Sequence, residues 1–105
     1  MFRVIATETY ISEIEKLPKH YQEIAEKIPK KLAENPLLGS PLGYPFLREK
    51  RIREKRIYYL VYPDIQLVLL VATSGKKDQQ ATIEHIKDHL DAYKEVAKNI
   101  SMQFS

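Results

Sequence analysis

Residues 46–64 read FLREKRIREKRIYYLVYPD and set Arg48, Lys50, Arg51, Arg53, Lys55 and Arg56 among apolar and aromatic side chains. Guanidinium groups hold phosphate oxygens bidentately, and phenol rings offer stacking surfaces to unpaired bases, so the mixture suits single-stranded RNA. Side chains alternate across a strand, which places Arg56, Tyr58, Leu60 and Tyr62 on one face and Ile57, Tyr59 and Val61 on the other. One face must meet the helices, and the other is then expected to lie open with its cations and phenols. The competing reading is an edge strand blunted by charge against aggregation. Six basic residues in so short a run exceed that need.

Lys76 and Lys77 form a second cluster just ahead of a helical pattern, where the helix dipole is already positive. Lysines there are mildly unfavourable unless an anion shares the place with the free backbone N–H groups. If the strand before Lys76 neighbours the basic strand, both clusters can face one cleft; either alone also reads as solvated lysines. Other site types fall away. Gly75-Lys76-Lys77 lacks the earlier glycine of a phosphate-cradling loop, and there are no cysteines. His85 and His89 stand four apart on one helical face without an obvious third ligand, so no metal and no cofactor is expected.

Those residues sit in a chain of 105, the length of a single domain spanning residues 1–105. With 44% hydrophobic and 30% charged residues, its composition is that of a soluble globular protein. The basic stretch holds six cations against Glu49 and Glu54, more net charge than the +3 of the whole chain. Concentrated positive charge of this kind is what an anionic partner feels. The start of the chain has no apolar signal segment, and the longest apolar run, residues 67–72, is far short of a membrane span. A cytoplasmic protein without membrane contact is expected.

The positioning elements follow from periodicity. Residues 2–6 read as a strand, and Thr7 or Thr9 can cap a short helix carrying Tyr10, Ile14 and Leu17. Pro18 closes it and opens a second helix with Tyr21, Ile24, Ala25, Ile28 and Leu32 on one face, which Pro29 should kink. Residues 35–45 are a Gly/Pro loop; 46–52, 56–62 and 65–73 are strands, the last two joined at Pro63-Asp64. From Asp78 onward Ile83, Ile86, Leu90, Tyr93, Ala97 and Ile100 predict one helix of about five turns. The fold class is α+β: an antiparallel sheet of about four strands, helices on one face, an N-terminal helical hairpin and a long C-terminal helix.

In the order and spacing of these segments the chain resembles the RelE/ParE superfamily of toxins from type II toxin–antitoxin systems. The likeness runs through the opening strand, the helical hairpin broken at Leu17-Pro18 and Asn35-Pro36 before the Gly/Pro loop. It continues through Leu47-Arg48, the strand from Arg56 to Tyr62 with its Pro-Asp turn, and Ser74-Gly75-Lys76-Lys77. The resemblance implies a microbial ribonuclease type of fold and, for the RelE branch, cleavage of messenger RNA on the ribosome, an mRNA interferase activity. It implies catalytic roles for Arg48, Arg51, Arg56 and Lys77, with Tyr59 or His85 moving protons, and RNA contacts from Lys50, Arg53, Lys55, Tyr58 and Lys76. The reaction would be attack of a ribose 2′-hydroxyl on the adjacent phosphate, with the added charge stabilised by cations and no metal. A cognate antitoxin protein is the implied partner, beside mRNA. Where RelE-like strands usually carry Arg before Leu-Val-Tyr, this chain has Tyr59, which keeps two alternatives open: a ParE-like inhibitor of DNA gyrase, and a non-catalytic RNA- or protein-binding module.

Overall fold

The computed structural model describes residues 1–104; Ser105, the last residue of the expected 1–105 domain, lies outside the described residues. Strand β1 (Arg3–Ala6) leads into helix α1 (Glu8–Glu15), whose N-cap is Thr7, the hydroxyl accepting from the Tyr10 N–H at 3.2 Å. Pro18 separates α1 from α2 (Lys19–Glu34), which continues as one helix through Pro29. Ile28 and Leu32 on either side of that proline are buried, so packing against the sheet holds the turn that lacks a donor.

The Gly/Pro loop contains a two-residue edge strand, β2 (Ser40–Pro41), that periodicity does not announce. Strands β3 (Leu47–Ile52) and β4 (Lys55–Tyr62) form a hairpin through Arg53 and Glu54, and a 3₁₀ turn, Pro63–Ile65, joins β4 to β5 (Leu67–Ser74). The sheet has five strands in the order β1-β5-β4-β3-β2 and is mixed, because β1 lies parallel to β5 while the other pairs are antiparallel. The expectation of about four antiparallel strands is corrected to that extent. β5 is apolar on both faces and flanked by a strand on each side, so β1 closes the edge that β4 leaves.

Helices cover both faces of the sheet, which overturns the expectation of one covered and one open face. α1 and α2 bury Tyr10, Ala25, Ile28 and Leu32 against Ile57, Tyr59, Val61, Val68 and Leu70. On the opposite face Leu47, Tyr58, Leu60, Leu69 and Val71 meet Ile83 and Ile86. The single C-terminal helix is in fact two, α3 (Gln79–Asp88) and α4 (Leu90–Gln103), broken at His89 with φ −120° and ψ 19°. An unbroken helix over those 25 positions would be about 37 Å long. The whole molecule measures 36 × 27 × 22 Å, so a straight helix would overhang the core that its apolar stripe must cover.

Candidate anion-binding cleft

The β3–β4 register puts Arg51 directly opposite Arg56. Like charges directly opposite on paired strands are destabilising. Both side chains point to the α3 face, with Glu49 two positions before Arg51 and Tyr58 two after Arg56. The hairpin turn adds to the cost: Arg53 has φ 60°, a conformation in which a residue other than glycine is uncommon. The Nε of Arg51 donates to the Arg53 carbonyl at 2.8 Å, tying the guanidinium to the turn.

The loop between β5 and α3 brings the second cluster over this pair. Asp78 stands at the N-cap of α3, yet its Oδ1 accepts from the Gly75 N–H at 2.8 Å and caps no helix amide. The first turn of α3 therefore keeps N–H groups without a side-chain acceptor, beside Lys76 and Lys77. The result is a cleft of about 580 Å³ walled by Arg51, Lys55 and Arg56 on one side and Lys76 and Lys77 on the other. Glu54 and Asp78 are its acidic wall residues.

Arg56 is the unusual member. It is only 8% exposed, and its Nη1 has no hydrogen-bond partner. Its Nε lies 3.7 Å from Glu49 Oε1, close enough for an ion pair but too long for a hydrogen bond. Glu49 Oε2 in turn accepts from Gln79 Nε2 at 2.9 Å. A buried guanidinium short of a partner is costly where it stands, and the side chain that carries it lines the cleft. Below it the Tyr58 hydroxyl and Ser74 Oγ are 2.8 Å apart. Burial, with the nearby Glu49 carboxylate, pushes the Tyr58 phenol up to about 12.

The cleft brings together Arg51, Lys55, Arg56, Lys76 and Lys77, and leaves the other sequence candidates outside. Arg48 and Lys50 have the opposite parity on β3 and belong to the α1/α2 side. The Arg48 guanidinium donates to the carbonyls of Gly39 at 2.9 and 3.1 Å and of Pro45 at 2.8 Å, which makes it a strut for the Gly/Pro loop. Tyr59 is fully buried, and its hydroxyl accepts from the Gly39 N–H at 2.8 Å. A side chain on Gly39 would collide with the Glu49 carbonyl and the Tyr59 hydroxyl, so this close approach requires glycine. Tyr58 is equally buried, and neither ring presents a face on which a base could stack. Arg53 lies in the turn and lines no part of the cleft. His85 is exposed on α3, its ring 4.2 Å from that of His89, and does not reach the cleft either. The expectation that Arg56 is an exposed strand cation is also corrected, because α3 covers the face on which it lies.

Glu49 and Gln79 are the residues that charge counting misses. Glu49 reads in the sequence as one anion among cations, and only its shared parity with Arg51 signals that it faces the same side.

No protein-family model matches the chain, and no curated protein matches it. Solved structures do. The chain is similar to a mutant of the E. coli toxin RelE in the free state, at 19% identity over 83% of this chain and 96% of that one, with a TM-score of 0.69. It is similar to the toxin–antitoxin complex RelBE2 from Mycobacterium tuberculosis, at 20% identity over 71% of this chain and 98% of that one, TM-score 0.63. A third likeness is to the archaeal RelE–RelB complex from Pyrococcus horikoshii, at 18% identity, 71% and 94% coverage and a TM-score of 0.53. The chain has a RelE-like fold.

Proposed function

We propose that this chain is the toxin of a type II toxin–antitoxin pair and that it cuts mRNA without a metal, holding the scissile phosphodiester in the cationic cleft. One observation carries the reading: Arg56, only 8% exposed, lines a cleft together with Arg51, Lys55, Lys76 and Lys77. The fold likeness to RelE structures supports it. When a ribose 2′-hydroxyl loses its proton and attacks the neighbouring phosphorus, the phosphorane gains charge on its equatorial oxygens, then breaks the P–O5′ bond to leave a 2′,3′-cyclic phosphate and a 5′-hydroxyl that takes up a proton. Preorganised cations lower the barrier most where water is excluded, as around Arg56. The proton acceptors at the cleft are carboxylates. Asp78 is held by Gly75 and Glu49 by Gln79, which leaves Glu54 at the mouth. The proposal places the work in the cytoplasm, on translated messages; no helix among the described residues is long and apolar enough to cross a membrane.

The partner in this reading is an acidic antitoxin that covers the cations. Its apolar side chains would enter the groove of about 490 Å³ between β4 and α4, where Phe46, Val61, Tyr62 and Leu90 form the wall and Lys94 and Lys98 the rim. Such a complex should resist moderate salt, because apolar burial adds to charge.

A second reading is favoured by the positions of Tyr58, Tyr59 and His85, none of which reaches the cleft: a fold kept for binding, either to DNA gyrase or to RNA without cleavage. Induction of the protein in cells, followed by mapping of RNA 5′ ends in translated messages, decides between them. New ends within reading frames are expected. Intact messages with altered DNA supercoiling would give the gyrase reading, and no change in either would give the binding module.

A further inference from the structure

Gln79 is the first residue of α3, next in sequence to the cleft residue Asp78, and its amide donates to Glu49 Oε2 at 2.9 Å. Glu49 has two oxygens and one ion-pair partner, Arg56. With Oε2 held by Gln79, only Oε1 faces Arg56, and it does so at 3.7 Å from Nε, so the guanidinium keeps Nη1 unpaired. An untethered carboxylate would do otherwise. Arginine and carboxylate favour a two-bond, fork-to-fork pairing, and a free Glu49 could swing onto the guanidinium and occupy the donors that a phosphate needs. We infer that Gln79 is a positioning residue for the phosphate site: it holds Glu49 away from a bidentate pair with Arg56 and so keeps that arginine available to the ligand.

This rests on the reading of the cleft as a phosphodiester site. Its own content is the Gln79–Glu49–Arg56 relay, which joins the start of α3 to two strands of the sheet. The charged and titratable groups beside Glu49 are Arg56 and Tyr58 on β4 and Arg51 on β3, while Lys55, Lys76, Lys77, Glu54 and Asp78 line the adjoining cleft. The Tyr58 phenol, pushed up to about 12 by burial, stays neutral across the neutral range. A change in pH dependence on substitution at position 79 therefore reports on the relay.

The test measures binding of a short 2′-O-methylated single-stranded RNA, which cannot be cleaved by 2′-hydroxyl attack, by fluorescence anisotropy at low salt. Gln79→Ala should weaken binding about tenfold, as for the loss of one charge-assisted hydrogen bond, at an unchanged melting temperature. Gln79→Glu keeps the side-chain shape but sets a second carboxyl against Glu49, and the two must share a proton. Its binding should approach that of the natural protein near about pH 5 and fall more steeply than the natural protein's as pH rises to about 8. The double variant Lys76→Ala, Lys77→Ala serves as the reference for the cleft. If that variant loses affinity while both Gln79 variants bind as the natural protein does at every pH, the relay is wrong and the cleft stands. If the Lys pair makes no difference, or the natural protein does not bind, the cleft reading itself is overturned.

Discussion

The two faces of the β3–β4 hairpin use the same residue types for opposite ends. On the α1/α2 face Arg48 is surrounded by carbonyls and the Tyr59 hydroxyl is paired with Gly39, so charge and phenol brace the Gly/Pro loop. On the α3 face Arg51 and Arg56 confront each other across the strands, Lys76 and Lys77 crowd in from the loop, and one buried donor is unpaired. On the first face the arginine is locally satisfied. The second sets cations against one another with few carboxylates between them, the arrangement on which the proposed anion site rests. Parity along the strand decides which cation serves which purpose.

The largest effect expected contrasts core with cleft. Leu70, buried between β4, β1 and α1, should cost about 2 to 5 kcal/mol on truncation to alanine, through lost burial and a cavity. Arg56→Ala removes a buried cation but also a donor without a partner, and leaves Glu49 held by Gln79, so about 1 to 3 kcal/mol is expected. Urea denaturation of both variants measures the gap. Equal losses would make Arg56 a structural strut, like Arg48, and erase the distinction between the faces.

Next in size is a loss of function without a loss of stability. Replacing both Lys76 and Lys77 by alanine should change stability by no more than about 0.5 kcal/mol, since both are exposed. RNA cleavage, or RNA binding if the protein only binds, should fall at least tenfold with removal of two phosphate contacts. The variant may be compared with Arg48→Ala, which should loosen the Gly/Pro loop and lower the melting temperature while leaving the cleft's charge intact. A reversed outcome, with activity tracking Arg48 and not the lysines, would move the site to the other face.

Much of this frame is legible in the sequence. The strand at β5, the Thr7 cap, the Pro18 break and the Pro63 turn all follow from local chemistry that acts within a few residues. The break at His89 does not, because no glycine or proline marks it and the apolar stripe continues in step from Ile83 to Ile100; it answers to the size of the sheet. The parallel pairing of β1 with β5 joins residues more than sixty positions apart and leaves no local trace. At the site, the clustering of cations was readable, and so was their approach to Lys76 and Lys77. What was not readable is burial: Tyr58 and Tyr59 look like a stacking surface until helices cover both sides. Glu49 was hidden among cations that it serves.

The smallest effects distinguish the faces through two phenols. Tyr10, on the α1/α2 side, has a buried hydroxyl with no partner, and burial alone pushes it up to about 12; Tyr58, on the α3 side, is also pushed up to about 12 but shares a hydrogen bond with Ser74. In both, the folded-state value stands above the ordinary 10.0, so the neutral phenol is favoured by folding. The corresponding stability is fully present below pH 10.0 and is lost as pH rises towards about 12, which phenolate absorbance and melting curves followed together would show. At neutral pH the two sites part. Tyr10→Phe discards an unsatisfied polar group and should leave stability unchanged or raise it by up to about 1 kcal/mol, whereas Tyr58→Phe strands the Ser74 hydroxyl beneath the cleft and should cost about 1 kcal/mol. Matching losses from the two substitutions would mean that the Tyr10 hydroxyl is paired in solution, and that the α1/α2 face is as fully satisfied as its arginine strut suggests.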